Sequence, residues 1–379
     1  MFAADARAPL RADGTALFET SAADMGQGAW TALAQIAADS LGLPIEKIEF
    51  RSGNSTLPDG GIAGGSGHTA TAGSALDASG RDVIRQLGSM AAADPASPLH
   101  GADNATFQAR DGRIEVEGDP ARGEDLAAIL HRAGLEQLEG QGSAFRKPED
   151  AENRAMNAHG AVFAEVKIDP DLCQMRVTRL VGAFAAGRII NPRLAESQLM
   201  GGMIWGVSFA LHEKAKHDPR TGRIMNADFA GYHIPVNADI RDLEVITIHE
   251  DDPYVNALGI KGVGEIGITG TVGAIANAIR HATGRRIRHF PIRIEDLLRT
   301  MPGPCRAPRH RPSSPVRSRF ARPFWSKRGS VRRPGPTNRY SASDLISAAR
   351  SALPSNPIPG RSGMVMWPSS TATPSGKPP

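Results

Sequence analysis

The composition of the chain changes abruptly near residue 300, and this break limits which part can fold around a core. Residues 301–379 contain 14 lysines and arginines, one acidic residue, Asp344, and 15 of the 28 prolines. Residues 1–300 contain 30 basic and 39 acidic residues, so the overall charge of +4 averages a body of −9 and a tail of +13. A stretch so rich in proline and charge buries too little apolar surface to offset its ordering entropy. We therefore predict a globular body over residues 1–300 and a basic Pro/Arg-rich, largely disordered tail over residues 301–379.

The tail has two interpretations. Clustered arginines are typical of an arm that binds nucleic acid or another anionic surface. Alternatively, the tail is an unselected extension, for example the product of a shifted reading frame after residue 300. The abrupt change directly after the natural domain end "FPIRIEDLLRT" (290–300) favours the second interpretation. The acidic body itself argues against nucleic-acid binding.

The body has the composition of a globular protein with a real core, since 40% of the chain is hydrophobic. No run approaches the roughly 20 apolar residues that a membrane span needs. The first residues lack the basic-then-apolar pattern of a signal peptide, so we expect a cytoplasmic protein, or a periplasmic one if a signal-bearing partner subunit carries it. Cys173 and Cys305 are too few for a disulfide framework or a four-cysteine iron–sulfur site, and each is interpreted as a packed or free thiol.

Hydrophobic periodicity in the body alternates between strands and helices. Residues 118–160, where glycine and charge are frequent, give only weak predictions. A Pro-Asp turn and an Asp111-Gly112 pair indicate two hairpins. The predicted elements are strands at 14–20, 47–53 and 243–250, hairpins at 107–118 and 161–184, helices at 30–42, 195–215 (mostly apolar and buried) and 271–284, and a glycine-rich loop that runs into a helix at 60–90.

Two glycine-rich stretches precede predicted helices. In "DMGQGAW" (24–30), glycines allow a ligand to approach the backbone, and the helix start offers N–H groups to an anion. A lone G-x-G is also common in ordinary tight turns, and the spacing differs from the dinucleotide fingerprint. "GGSGHTATAG" (64–73) is either a second cradle for a polar cofactor or a flexible surface loop. A lone His68 is more often a surface or packed histidine than a metal ligand.

A third stretch, "GIKGVGEIGITG" (259–270), places one carboxylate, Glu265, among glycines and apolar residues. Burial would favour the neutral form of Glu265 and suit it to act as a general base. Lys261 would oppose that effect or orient a substrate. The alternative is a solvated glutamate at a helix start, stabilised by the helix dipole. The scarcity of other polar residues nearby favours burial.

These stretches, in this order, and "VGAFAAGRIINPRLAESQLMGGMIWGVSFALHE" (181–213) resemble the molybdenum-binding subunit of the xanthine dehydrogenase/aldehyde oxidase family. The likeness is closest to the bacterial aldehyde oxidoreductase type and covers about residues 8–300, the C-terminal portion of longer subunits. It implies an α+β fold of mixed sheets packed with helices. It also implies a molybdopterin-binding region in two parts, an incomplete first domain over residues 1–155 and a second part with the catalytic glutamate over residues 156–300.

The resemblance also implies roles for individual residues. Glu265 matches the catalytic glutamate. The molybdenum is expected to be held by the dithiolene of a molybdopterin, in its cytosine dinucleotide form, so no residue of this chain is expected as a metal ligand. No iron–sulfur cluster or flavin is expected in this chain. The positions that match cofactor contacts are Gly26, Gln27, Gly28, Thr69, Ala70, Thr71, Ala72, Gln198 beside the pterin, and Lys261 and Gly264 in the motif that presents the glutamate.

The implied activity is hydroxylation of aldehydes to carboxylic acids, with Glu265 as the base and with electrons passing to an iron–sulfur subunit and an FAD subunit. The missing N-terminal half of the molybdenum subunit is expected as a further partner, and neither nucleic acid nor a membrane is. Three alternatives stay open. They are hydroxylation of a purine or another N-heterocycle, an inactive truncated remnant that only binds partner subunits, and nucleic-acid binding through the tail.

Overall fold

The structure is a computed structural model that describes residues 3–145, 156–298 and 362–369. Its helices are α1 (Ala29–Leu41), α2 (His68–Ala93), α3 (Leu126–Arg132), α4 (Pro192–Leu211), α5 (Ile266–Thr269), α6 (Thr271–Thr283) and α7 (Ile294–Leu298). Its strands are β1 (Ala4–Arg11), β2 (Ala16–Glu19), β3 (Ile48–Arg51), β4 (Phe107–Arg110), β5 (Arg113–Val116), β6 (Asp119–Asp125), β7 (Gln137–Ala144), β8 (His159–Ile168), β9 (Met175–Ala185), β10 (Leu243–Thr247) and β11 (Ser362–Ser369).

The chain divides into two compact units. Unit 1 comprises residues 1–158, 186–199 and 251–265, so two later segments join the N-terminal part. Its larger sheet has the order β3-β2-β1-β7, in which β2 and β3 are parallel and the other pairs are antiparallel. Its smaller sheet, β4-β5-β6, is antiparallel. Mixed sheets packed with helices are what the predicted α+β class requires, and that prediction is confirmed.

Helix α1 forms where its amphipathic pattern predicts it. Leu33, Ile36 and Leu41 are buried in the core of unit 1. The helix begins after Gly28 and ends before Gly42, and both glycines have left-handed backbones, with φ of 78° and 57°. A Cβ on Gly42 would lie 2.6 Å from the backbone of Ala109, so the end of α1 packs directly on β4. The glycine cap therefore serves both the turn and the packing.

The weakly predicted region 118–160 contains β6, α3 and a full strand, β7, which pairs with β1 along its length. The glycines that make this region resemble a loop have a packing role. A Cβ on Gly140 or Gly142 would lie 2.2 Å from the carbonyl oxygen of Ser79 or Ala75 in α2. Glycine at these positions lets the helix backbone lie directly on the strand. Residues 146–155 lie outside the described residues.

Unit 2 comprises residues 159–185, 200–250 and 266–379, and its sheet has the order β10-β9-β8-β11. The predicted hairpin is present as β8 and β9, and the Asp169 carboxylate accepts hydrogen bonds from two backbone N–H groups of the turn. Helix α6 lies where a helix is predicted at 271–284, packs against β8 and is followed by Gly284 in a left-handed conformation.

Helix α4 is less buried than its mostly apolar sequence predicts. Trp205 is 59% exposed and Phe209 47%, and the Phe209 ring packs beside Phe290 with 5.6 Å between ring centroids. Apolar residues all around a helix indicate that every face is suited to burial, but they do not say which element covers each face.

Most of the tail, residues 301–361 and 370–379, lies outside the described residues. The disorder predicted for these residues therefore stays a prediction. Within the tail, Ser362–Ser369 form β11, which pairs antiparallel with β8, an exception to the predicted lack of structure.

Cys173 is buried and disulfide-bonded, so the prediction of a thiol there is wrong. Cys305, for which a thiol is also predicted, lies outside the described residues. Within the described ranges, no helix is long and apolar enough to cross a membrane.

Candidate cofactor-binding cleft

Unit 1 contains a cleft of about 530 Å³ whose walls come from four separate stretches of sequence. These stretches are the first loop (residues 22–28), the second loop (residues 60–67) with the start of α2, residues 188–198, and residues 260–265. The structure thus brings together stretches that are far apart in the chain. The predicted site residues that line the cleft are Gly26, Gln27, Gly28, Thr69, Ala70, Gln198, Lys261, Gly264 and Glu265.

Two predicted cofactor contacts, Thr71 and Ala72, point into the interior of unit 1 and do not line the cleft. Both are fully buried, and the Thr71 hydroxyl donates to the carbonyl oxygen of Gly67 at 3.0 Å. The reason is helix geometry. Once α2 begins at His68, successive residues rotate by about 100°, so only part of the run "TATA" can face one side.

The first loop uses its backbone donors internally. The Asp24 carboxylate accepts hydrogen bonds from the N–H groups of Gly26 (2.8 Å), Gly28 (3.3 Å) and Trp30 (3.2 Å). Burial raises the pKa of Asp24, but these backbone hydrogen bonds outweigh burial and hold the pKa below its ordinary value. Of the two interpretations of this stretch, the ordinary tight turn fits better, because the Asp24 carboxylate already accepts from the N–H groups at the helix start.

Gln27 also bonds within the first loop. Its side chain accepts from the N–H of Met25 at 2.6 Å and donates to the carbonyl oxygen of Ala23 at 3.2 Å. The amide of Gln27 thus donates and accepts at once, with its own loop as partner.

His68 links the first loop to α2. The N–H of Ala23 donates to His68 Nε2 at 3.1 Å. Because a backbone N–H only donates, Nε2 is the unprotonated nitrogen of a neutral ring, whose proton is on Nδ1. Burial lowers the pKa of His68 by more than the Ile62 backbone and Asp24 raise it. His68 is thus a packed, neutral histidine, as the commoner interpretation of a lone histidine holds.

Glu265 lies at the mouth of the cleft, immediately before α5. It is exposed, so the prediction that it is buried among glycines and apolar residues is wrong for this chain. The reason is that the glycines around it carry no side chains to cover it. The Ser66 hydroxyl of the second loop donates to Glu265 Oε2 at 2.7 Å. This contact ties the second loop to the motif that carries the carboxylate.

Lys261 is paired away from Glu265. Its side chain is 4% exposed, and Nζ lies 2.9 Å from Asp252 Oδ2. Burial raises the pKa of Asp252, but the hydrogen bond and charge of Lys261, together with backbone hydrogen bonds from Tyr254 and Val255, hold the pKa below its ordinary value. A buried ion pair of this kind holds the turn before Glu265 in place and leaves little net charge on the cleft wall.

Sequence analysis did not select several cleft residues, among them Arg188 and Asn191. Arg188 pairs with Asp39 at 2.7 Å, and the Asn191 amide donates to Gln35 Oε1 at 3.0 Å, so both connect this wall to α1. Asn191 also accepts from the N–H of Leu194 at the start of α4. The available signal was "NP" (191–192), an N-cap residue followed by proline in the first helical turn.

Comparison with known proteins identifies the family. The sequence profile of the molybdopterin cofactor-binding domain matches residues 2–241, and the chain belongs to this family. The chain is 35% identical to the aldehyde oxidoreductase molybdenum-binding subunit PaoC of Escherichia coli (strain K12), over 78% of its own length. It is 31% identical to the xanthine dehydrogenase molybdenum-binding subunit of Escherichia coli O157:H7, over 76% of its length. In each case it spans 38% of the relative.

Solved structures give the same assignment. Quinoline 2-oxidoreductase from Pseudomonas putida 86 superposes with a TM-score of 0.67 at 26% identity, covering 78% of this chain and 38% of that one. The aldehyde oxidoreductase from Desulfovibrio desulfuricans gives a TM-score of 0.60 at 25% identity, covering 79% and 30%. The predicted resemblance to molybdenum-binding subunits of the aldehyde oxidoreductase type is confirmed.

Proposed function

We propose that the chain is the cofactor-binding portion of the catalytic subunit of a molybdenum hydroxylase that oxidises aldehydes to carboxylic acids. The observation that carries this proposal is the position of Glu265, a carboxylate at the mouth of a cleft bordered by two glycine-rich loops. The higher identity to an aldehyde oxidoreductase subunit than to a xanthine dehydrogenase subunit supports an aldehyde over a purine or another N-heterocycle.

The cleft fits an organic cofactor in size and in backbone geometry. Its volume of about 530 Å³ lies within the range of roughly 300–1,000 Å³ that is usual for cofactor sites. A Cβ on Gly26 or Gly65 would meet no atom within 4 Å, so both glycines leave the backbone open to close approach. The first loop limits where an anionic group of the cofactor can bind. Such a group would have to displace the Asp24 carboxylate from the start of α1 or bind elsewhere in the cleft.

In this proposal the chain orients the reactants and moves one proton. Gly26, Gln27, Gly28, Thr69, Ala70, Gln198, Lys261 and Gly264 hold the molybdopterin, in its cytosine dinucleotide form. When bound, the molybdenum cofactor supplies the two-electron redox chemistry. Glu265 accepts a proton at a carboxylate oxygen from the oxygen that attacks the aldehyde carbon, acting as a general base. Aldehyde and water become carboxylic acid, with release of two electrons and two protons.

The proposed partners follow from the family resemblance. The electrons pass to an iron–sulfur subunit and an FAD subunit. The proposed molybdopterin-binding region has two parts, residues 1–155 and 156–300, and we propose that the rest of the molybdenum subunit completes the cofactor pocket. The rest of that subunit also offers cover for the exposed apolar side chains of Trp205 and Phe209. The proposed location is cytoplasmic, or periplasmic with a signal-bearing partner.

A glutamine at position 265 tests the proposal. In the complex of this chain with its partner subunits, we expect Glu265→Gln to lower kcat for an aldehyde by about 10²- to 10⁴-fold, the usual contribution of a general base. Molybdenum and pterin content should equal those of the wild type. The control is Glu136→Gln, at an exposed glutamate outside the cleft. Full turnover by the Glu265→Gln variant would remove Glu265 from the base role, and a wild-type complex without molybdenum would end the enzyme proposal.

A further inference from the structure

The geometry points to Ser66 as a positioning residue for Glu265, an inference that rests on the proposed function of that carboxylate. Ser66 and Glu265 are 199 residues apart in sequence, yet the Ser66 hydroxyl donates to Glu265 Oε2 at 2.7 Å. Ser66 lies outside the glycines and helix residues that match cofactor contacts. Through the contact of Ser66 with the proposed base, the second loop has a role that is separate from cofactor binding.

The backbone conformation of Ser66 indicates a functional constraint on its side chain. Ser66 has a φ of 57°, in the left-handed region that residues with a Cβ rarely adopt. Its neighbour Gly65 has the same φ, so the loop needs this conformation twice in succession. Glycine would adopt it at position 66 without steric cost. A strained non-glycine residue beside a candidate catalytic group is the kind of outlier that indicates a functional constraint.

Two glycines of the Glu265 motif make room for Ser66. A Cβ on Gly262 would lie 2.7 Å from Ser66 Cβ and 2.9 Å from its carbonyl oxygen, closer than real contacts allow. A Cβ on Gly264 would lie 3.4 Å from Ser66 Oγ. The second loop therefore rests directly on the turn that carries Glu265, and the hydroxyl is held at the carboxylate by packing as well as by its hydrogen bond.

The hydrogen bond from Ser66 restrains the side chain of Glu265, which burial does not restrain because Glu265 is exposed. An exposed glutamate samples many rotamers, and its terminal torsion is broad. A donor fixed on Oε2 selects one rotamer and one rotation of the carboxylate, so the direction in which Oε1 points is also set. Precise placement matters for proton transfer, because displacement of a catalytic group by about 1 Å can lower the rate by roughly 100-fold.

The test separates the hydroxyl from the backbone conformation. In the complex with its partner subunits, Ser66→Gly removes the donor and also the left-handed strain. We expect kcat to fall about 10-fold with KM changed less than 2-fold, at unchanged molybdenum content and an undiminished unfolding midpoint. Ser66→Asn, whose residue type tolerates the left-handed region and carries an amide donor, should recover part of the lost kcat. The matched control is Ser55→Gly, at an exposed turn serine outside the cleft.

A second measurement needs no turnover. Urea unfolding of the wild type, Ser66→Ala, Glu265→Gln and the double variant forms a double-mutant cycle. We expect Ser66→Ala to lower the midpoint in the wild type and to lower it measurably less when residue 265 is glutamine. Additive effects, or a Ser66→Gly variant with full kcat, would overturn the role of Ser66. A wild-type complex without turnover on any aldehyde would instead contradict the proposed function, while the cycle would still decide whether the contact exists.

Discussion

The two loops that border the cleft differ in what their polar side chains contact. Both are glycine-rich and both lead into a helix. In the first loop, Asp24 turns back onto the N–H groups of its own backbone, and Gln27 does the same. In the second loop, Ser66 reaches across to Glu265. The polar side chains of the first loop therefore bond to the backbone of that loop and of the start of α1, whereas the Ser66 side chain bonds to a residue from a distant part of the chain.

This difference shows what glycine spacing does and does not indicate. Glycines give a loop access to left-handed conformations and to close contact, but polar side chains decide what the loop contacts. In this chain, the donors that look available to a ligand at α1 are taken by Asp24. Any anion that binds there has to compete with a carboxylate that is covalently attached to the loop.

The largest effect is expected where the second loop meets the Glu265 motif. Gly262→Ala places a Cβ 2.7 Å from Ser66 Cβ, and such overpacking typically costs about 1–3 kcal/mol. Urea unfolding measures it. Gly264→Ala is the matched control, because its Cβ meets Ser66 Oγ at an ordinary 3.4 Å. Equal losses in the two variants would show that Ser66 does not rest on Gly262.

A smaller loss is expected in the first loop. Asp24→Ala removes the acceptor for the backbone donors of Gly26, Gly28 and Trp30, and loss of a helix N-cap typically costs about 1 kcal/mol. Asp24→Asn retains one acceptor oxygen and should lose less. The control is Asp103→Ala, an exposed aspartate outside the cleft. If Asp24→Ala and the control unfold at the same urea concentration, the first loop is not held by its own carboxylate.

A pH-dependent loss smaller than that of Asp24→Ala is expected from His68. Its folded pKa is below the unfolded value near 6.5, so its contribution to stability is complete above pH 6.5. That contribution is lost as pH falls through the lower folded pKa, because protonation of Nε2 breaks the hydrogen bond from Ala23. Unfolding free energies at pH 7.5 and 5.5 should differ less in His68→Gln than in the wild type. Burial also lowers the pKa of His212, so His212→Gln gives a comparison in unit 2. An unchanged pH dependence in His68→Gln would contradict the assigned neutral ring.

The smallest effect on stability is expected at Ser66 itself. Ser66→Gly relieves the left-handed backbone and loses one hydrogen bond, and each change is worth about 1 kcal/mol in opposite directions. We expect a net change within about 0.5 kcal/mol by urea unfolding. A loss above about 2 kcal/mol would mean that Ser66 holds the second loop together and does not act mainly on Glu265.

Much of the fold could be predicted because local signals agreed. Helices α1 and α6 combine an amphipathic pattern with a closing glycine, at Gly42 and Gly284, so their ends are placed within a residue or two. The hairpin at Asp111-Gly112 has positive φ at both turn residues, as that pair predicts. These features depend on residues close in sequence.

The features that sequence analysis missed depend on distant residues. The glycines of β7 could not be distinguished from loop glycines without α2 above them. The exposure of Glu265 could not be read from its neighbours, because it depends on which elements surround the motif in space. Asp24 lies four residues before Gly28, the N-cap residue of α1, so only the loop conformation shows that its carboxylate reaches the start of the helix. The predicted roles of the cleft residues in cofactor binding remain predictions.

The glycines of β7 also bear on how this sequence tolerates change. Gly140 and Gly142 leave no room for a methyl group between β7 and α2. In a saturation mutagenesis library selected for folded protein, these two positions should be as depleted of variants as Leu33 or Leu76 in the core. A map of mutational tolerance would thus mark as essential a segment whose composition looks dispensable.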